Sequence, residues 1–368
     1  MATWNAGKWT YQAGKGYAEN SSGDWTEHPA DVSQDTSWKT FPWSDWSRRK
    51  GGCSFTMKDC LTYNQMAQTA LCDKPDEVVY WISPGELEHF PTDGMEYKAE
   101  HILRNCFGKD GKVDLGLLEA SEKEVVRRRH DIKKYIRKAS LFIGRQLAGR
   151  VADLGAGTGT LTSIISRHEN VRLVYAVEIS ESYVNRIMPL VFSATGADSS
   201  KIMRIVGDFN HLRFEDDSID YIVENGAFHH SDDIGKTIAE TWRVLKKGGW
   251  FIGIERSHEN HMTNGELEKM LDREFGPALK AIYGIPEDQK TTRREWGEHE
   301  LRHCDWNYHF AKRGFRAYVI RFFRPHGIAK GLKVFYWLFG NIMLNRRICN
   351  IPYLNSGHLR TLVLAQKP

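Results

Sequence analysis

The chain has 368 residues, 41% of them hydrophobic and 27% charged, the balance of a globular protein with one large or two modest domains rather than of a disordered or fibrous one. No run of about 18 uninterrupted apolar residues occurs, so no transmembrane helix is predicted. The net charge is +4, but Trp306–Pro368 holds eleven Lys and Arg and no Asp or Glu, which leaves the rest at −7 and suggests an anionic partner or surface for the C-terminal part.

Met1-Ala2-Thr3-Trp4-Asn5 lacks the basic-then-apolar order of a secretory signal. The six cysteines are scattered and form no Cys-x-x-Cys pair. They read as reduced thiols of a cytoplasmic protein. Residues 1–120 form an N-terminal extension without clear periodicity. Six of the twelve tryptophans fall in its first 50 residues, a density that points to packing against the protein body, a substrate or a partner, since disordered tails are poor in aromatics. Val78-Val79-Tyr80-Trp81-Ile82 is a short apolar stretch within it.

Residues 121–368 read as one domain. Ser121 with Glu124 makes a capping box for a helix reaching about Leu147, with Val125, Ile132, Ile136, Ala139 and Ile143 at helical spacing. Strand and helix then alternate. Strands are predicted at 150–154, 173–177, 203–206, 219–223 and 250–254, and helices at 159–167, 182–193 and 235–245, the last ending at Lys246-Lys247-Gly248-Gly249. That order predicts an α/β, doubly wound, mostly parallel sheet. A polar, largely helical cap follows at 258–314, then strands at 316–323 and 361–365. Between those strands lies an insert, 324–358, in which Leu332-Lys333-Val334-Phe335-Tyr336-Trp337-Leu338-Phe339 is flanked by Lys330, Arg346 and Arg347. Apolar aromatics beside cations suit a lid, a dimer seam or peripheral contact with the inner membrane face.

Asp153-Leu154-Gly155-Ala156-Gly157-Thr158-Gly159 follows an apolar strand and opens a helix. Glycines are needed where backbone passes close to a ligand, and the helix start offers free N–H groups. Glu178 ends the next strand, nineteen residues after Gly159, where an acid grips ribose hydroxyls. Gly207-Asp208-Phe209 follows the third strand. Ile219-Asp220-Tyr221-Ile222-Val223 and then Arg243-Val244-Leu245-Lys246-Lys247-Gly248-Gly249 complete the order. Over roughly residues 148–256 this set resembles the class I, Rossmann-like S-adenosylmethionine-dependent methyltransferases, of the broad group related to ubiquinone and menaquinone biosynthesis enzymes. The resemblance implies a seven-stranded sheet and S-adenosyl-L-methionine as cofactor. It places Asp153, Gly155, Gly157 and Gly159 around the methionine part, Glu178 on the ribose, and Asp208, with Phe209, by the adenine. Asn225 is set beside them. The insert between the last two strands departs from the family's tight hairpin.

Methyl transfer is an in-line displacement that the enzyme promotes by alignment and, for a hydroxyl acceptor, by removing a proton. Phe228-His229-His230-Ser231-Asp232 sits at the fourth strand end, so His229 or His230 is a candidate base. His299 and His303 lie one helical turn apart in the cap and are the rival pair, with Glu300 and Asp305 at hand to orient an imidazole. The pair has metal-ligand spacing but no evident third ligand, so no metal is assigned. Glu224-Asn225-Gly226-Ala227-Phe228 replaces the Asx-Pro-Pro-aromatic stretch of adenine amino-methylation, and no Pro-Cys dipeptide occurs. Nucleic acid is therefore disfavoured. The aromatic inventory beside basic residues suits a sugar acceptor, part of a surface polysaccharide or lipid-linked glycan and open to being anionic. Methylation of a small aromatic or quinone-like metabolite is the alternative. A non-catalytic, cofactor-binding role in glycan assembly is another.

Overall fold

The computed structural model describes residues 122–283, 285–321 and 360–368, with shorter pieces at 2–5, 8–11, 78–82, 87, 98–99 and 101–103. Most of the Trp-rich extension, Ser121 with its capping box, and the insert 324–358 lie outside the described residues. Near the N-terminus β1 (Ala2–Asn5) and β2 (Lys8–Tyr11) pair as an antiparallel hairpin.

The main sheet is built from β3 (Val78–Tyr80), β4 (Gly149–Leu154), β5 (Val171–Glu178), β6 (Ile202–Val206), β7 (Ile219–Glu224), β8 (Leu245–Arg256), β9 (Arg316–Arg321) and β10 (Arg360–Gln366). Its eight strands lie in the order β3-β6-β5-β4-β7-β8-β10-β9. All neighbours are parallel except β10, which runs antiparallel between β8 and β9. The two last strands thus pair directly although the insert separates them in sequence. The strand at 78–80 adds an eighth to the seven expected. It pairs with β6, and the next residue, Trp81, packs its ring against Phe214 at 4.8 Å.

Alternation along the strands sends successive side chains to opposite faces. Val151, Val174 and Tyr221 face α1 (Glu122–Ile143), through Ile132, Ile136 and Ala139, and α2 (Thr160–Ser166), through Leu161, Ile164 and Ile165. Ala152, Tyr175 and Ile222 face the other side, where α4 (Ile234–Val244) and α7 (His303–Arg313) contribute Ile234, Ile238, Trp306, Tyr308 and Phe310. A strand buried on both faces reads as a continuous apolar run, as these do.

The helix expected at 182–193 is divided. Tyr183–Ile187 is a π-turn, and α3 (Met188–Thr195) begins with Pro189 in its first turn. Proline has no N–H to give to the preceding turn, so the widened turn falls where the ladder is interrupted anyway. Lys246-Lys247-Gly248-Gly249 belongs to the irregular start of β8, while α4 stops at Val244. The cap holds α5 (Asn264–Leu271), α6 (Pro277–Tyr283) and α7, with residues 285–302 non-helical. Among the described residues no helix is long and apolar enough to cross a membrane.

Candidate active site

From β4 the chain winds through β5 to β6 on one side, then returns to β7 and β8 on the other. The crevice at the carboxyl ends of β4 and β7 is therefore the topological switch point, where open α/β sheets take their ligands. The acids that end these strands meet there. Asp153 closes on β4, Glu178 ends β5, Glu224 ends β7 and Glu255 stands one residue before the end of β8, all four buried.

The glycine loop is shaped to leave space above it. Gly155 (φ +66°) passes so close to Ala227 that an added Cβ would lie 2.4 Å from the Ala227 Cβ. Gly157 (φ +52°) is its counterpart, because a Cβ there would meet nothing within 4 Å. Asp153, beneath the loop, accepts a hydrogen bond from the Thr162 hydroxyl at 2.5 Å. Burial lifts its carboxyl to about 7 against the pull of that hydroxyl, and the charges of Glu224 and Glu178 add to the rise. Glu178 ties the loop to the strand end, accepting from the Gly157 N–H at 2.8 Å and from the Ile179 and Ser180 N–H groups at 2.8 and 3.1 Å. Asp208 is held in a turn by the Asn210 N–H at 2.8 Å and by His211 at 3.1 Å. Phe209 lies against the Phe228 ring at 5.7 Å, and Asn225 is half-buried beside Glu224.

Across the crevice, a 3-10 turn, Phe228–His230, carries two imidazoles. Buried His229 approaches Glu255 Oε2 through Nδ1 at 2.7 Å, and its backbone N–H donates to Glu255 Oε1 at 3.1 Å. The Arg256 N–H also donates to Glu255, at 3.1 Å. Three N–H groups thus favour an ionised Glu255, although burial pushes it up to about 7. Glu224 lies beside Glu255, and burial followed by the Glu255 charge raises it well above the ordinary carboxylate range. Two adjacent buried carboxyls cannot both ionise cheaply, so the shared proton rests on Glu224. Gly253 makes room for it, since a Cβ there would lie 2.4 Å from Glu224 Oε1.

The cap supplies the far wall. Glu298 Oε2 stands 3.9 Å from His229 Nε2 and takes hydrogen bonds from Arg256 and Arg293. Burial opposes its ionisation, but His229 and Arg256 outweigh that and hold it at about 2. Glu300 accepts from Arg256 at 3.1 Å and pairs with His258. His299 donates its backbone N–H to the His229 carbonyl at 3.0 Å, and burial with the nearby His230 and His229 lowers its imidazole to about 4. His230 reaches solvent at the rim, with Nδ1 on the Gly297 carbonyl at 2.9 Å. The surrounding protein, then His229, lowers its imidazole below the ordinary range.

The structure thus gathers His229, His230 and His299 but corrects the His299–His303 pairing. His299 sits in non-helical chain, while His303 opens α7 with its N–H on the His258 carbonyl, so the two do not share a helical face. Of the acids expected to orient that pair, Glu300 serves His258 and Asp305 caps α7 through the Arg302 N–H at 2.6 Å. Part of the expected polar cap surface is an ionic network in which buried Glu298 and Glu300 pair with half-buried Arg293 and with half-buried Arg256 at the end of β8. Glu255 and Glu298 escaped the reading of the sequence. The signal for Glu255 was present, as an acid at the end of one more apolar strand. Glu298 is placed by tertiary contact alone.

Residues 152–253 match the family model described as a methyltransferase domain. A malonyl-[acyl-carrier protein] O-methyltransferase of Coxiella burnetii is 35% identical over 102 residues, covering 28% of this chain and 32% of that protein. A dimethylglycine N-methyltransferase of Parasynechococcus marenigrum is 32% identical over 131 residues, covering 36% and 46%. A sterol 24-C-methyltransferase of Gibberella zeae is 26% identical over 200 residues, covering 53% and 47%. The chain spans less than half the length of each of these relatives. Their names span oxygen, nitrogen and carbon acceptors, so likeness over this segment leaves the acceptor open.

Proposed function

We propose that this chain, whose residues 152–253 make a class I S-adenosylmethionine-dependent methyltransferase domain, methylates a hydroxyl, and that the hydroxyl belongs to a sugar. The cradle fits the cofactor. There is open space above Gly157, a buried acid beneath the loop and a second acid, Glu178, at the neighbouring strand end. Asp153 would face the cationic methionine end. Glu178, held at the strand end by the Gly157, Ile179 and Ser180 N–H groups, would meet the ribose hydroxyls. Asp208, Phe209 and Asn225 would border the adenine. When bound, the cofactor supplies an electrophilic sulfonium methyl.

The observation that carries the oxygen acceptor is the 2.7 Å contact of His229 with Glu255. A sugar hydroxyl is a weak nucleophile at neutral pH until its proton is removed. Glu255 fixes the imidazole with the proton on Nδ1, so Nε2 takes the acceptor's proton as the oxygen attacks, and Glu255 stabilises the imidazolium that forms. The cap adds support for a sugar. Trp296 stacks on Tyr283 at 5.0 Å with an interplanar angle of 9°, and Phe275 meets Trp296 at 5.9 Å, two residues from Glu298. Tyr283 is covered by Trp296 and by Lys98, whose Nζ lies 4.5 Å from its ring centre, so the surface that would suit pyranose C–H groups is the other face of half-buried Trp296. The basic, aromatic insert 324–358 extends the proposal to an anionic or lipid-linked glycan presented at a membrane surface, with the protein on the cytoplasmic side.

The test is calorimetric binding of S-adenosylmethionine, then methyl transfer to hexuronic-acid and neutral oligosaccharides and to phenolic and quinol acceptors. Transfer to the sugars that is lost in His229→Ala supports the proposal. Turnover confined to phenols moves the acceptor to small aromatics. Cofactor binding with no transfer to any of these classes points to the non-catalytic role.

A further inference from the structure

His229, His230 and Glu298 each offer a ligand atom, and the three atoms lie within 4.8 Å of one another. The two histidines are consecutive in the 3-10 turn, with ring centroids 4.3 Å apart. Each ring is held at Nδ1 by an acceptor, Glu255 for His229 at 2.7 Å and the Gly297 carbonyl for His230 at 2.9 Å. A carbonyl cannot donate, so His230 Nδ1 carries the ring proton and Nε2 presents its lone pair at the rim. Carboxylate and carbonyl acceptors on the far nitrogen are how proteins orient metal-bound imidazoles. At the third corner, the arginine contacts of Glu298 fall on Oε2, and no bond to Oε1 is seen among the described residues.

We propose that His229, His230 and Glu298 bind one divalent transition-metal ion of the zinc class, and that this ion shuts off methyl transfer by occupying His229 Nε2. Two imidazole nitrogens and one carboxylate oxygen suit zinc, cobalt or nickel, whereas magnesium and calcium favour all-oxygen sites. Metal–ligand bonds of about 2.0–2.2 Å require ligand atoms roughly 3–3.5 Å apart. The ligand atoms, all within 4.8 Å of one another, close to that range by side-chain rotation, Glu298 turning Oε1 rather than the arginine-bound Oε2 toward the ion. His230 is solvent-accessible, so an ion has a path of entry. The binding half of the proposal stands on this geometry alone. The inhibitory half rests on the reading of His229 as the base.

The experiment titrates the full chain, stripped with chelator and dialysed, with zinc chloride by calorimetry. Cobalt chloride serves as a coloured probe of the coordination sphere. Wild type should bind one ion saturably. His230→Ala, at a solvent-facing ring, and Glu298→Gln should each weaken that binding at least tenfold, and Glu255→Gln, which touches a ligand rather than the metal, about 10–100-fold. Circular dichroism checks that each variant is folded, and His230→Ala carries the test if Glu298→Gln is not. Absence of saturable binding, or equal affinity in wild type and His230→Ala, overturns the site. Zinc at saturation should abolish methyl transfer. Binding without inhibition overturns the base assignment and the inhibitory half while the site stands. Turnover that depends on His229 in a chain that binds no zinc does the reverse.

Discussion

At pH 5.5 most molecules of the free protein should carry a proton on Asp153, because burial holds that carboxyl at about 7 against its ordinary 3.8. The methionine end of the cofactor is cationic where it would meet Asp153, and a nearby positive charge favours the ionised acid. If only ionised Asp153 accepts the cofactor, the apparent Kd scales as one plus ten to the power of (7 − pH). That factor is about 2 at pH 7 and about 30 at pH 5.5, so binding should weaken roughly fifteenfold over the interval, or about 1.6 kcal/mol. Calorimetry between pH 5.5 and 7 stays below the titration of the ligand's own amino group, near 7.7–8.0. Repeating each pH in two buffers of different ionisation heat should show proton release on binding, approaching about one proton at pH 5.5. Asp153→Asn should bind more weakly and lose both the slope and the release. A flat Kd in wild type, or an undiminished slope in Asp153→Asn, refutes the reasoning.

The same acid bears on folding. A carboxyl raised from 3.8 to about 7 leaves the free protein most stable below pH 4 as far as this group is concerned, and the loss accrues as pH climbs to 7, to about 4 kcal/mol at most. Asp153→Asn should therefore melt higher than wild type at pH 8, with the gap closing near pH 4. Among the glycines, Gly157→Ala should lower stability only by the left-handed backbone cost of about 1–2 kcal/mol and yet weaken cofactor binding at least tenfold, because its methyl enters the ligand's space. Gly155→Ala should cost more in thermal unfolding, since its Cβ meets the Ala227 Cβ at 2.4 Å. Similar melting temperatures for the two, or unchanged affinity in Gly157→Ala, would count against the cradle. His229→Ala should slow methyl transfer by roughly 10²–10⁴ with cofactor affinity unchanged. Glu255→Gln should fall between it and wild type, and full activity in both would remove the base.

The sheet was legible because strands buried on both faces announce themselves as apolar runs, and because each such run closes on an acid or a glycine turn. Asp153, Glu178 and Asp208 were found by that rule. The final strands, separated by the insert, were each legible as a short apolar run. What escaped was set by packing. β3 has three residues, too few for a period, and only its seat beside β6 and the Trp81 ring against Phe214 make it a strand. The cap reads as polar because charge in a sequence does not reveal whether it is solvated or paired. Glu298 and Glu300 are buried against the half-buried Arg256 and Arg293, and only the fold brings the four together. His299 and His303 show the limit of spacing, since four residues apart means one face only where the chain is helical.

The place of β10 bears on how the molecule is made. It is wedged between β8 and β9, pairing with both, yet it emerges from the ribosome 38 residues after β9. At about 5–20 residues per second, β9 waits roughly 2–8 s and β8, which ends 103 residues before β10, roughly 5–20 s with open edges. An unpaired edge rich in apolar side chains is a template for another chain. Nascent copies on one messenger are close enough to offer each other that strand before their own arrives. A holdase that binds extended apolar segments should raise the soluble yield, and a slow codon tract placed after β9 should lower it.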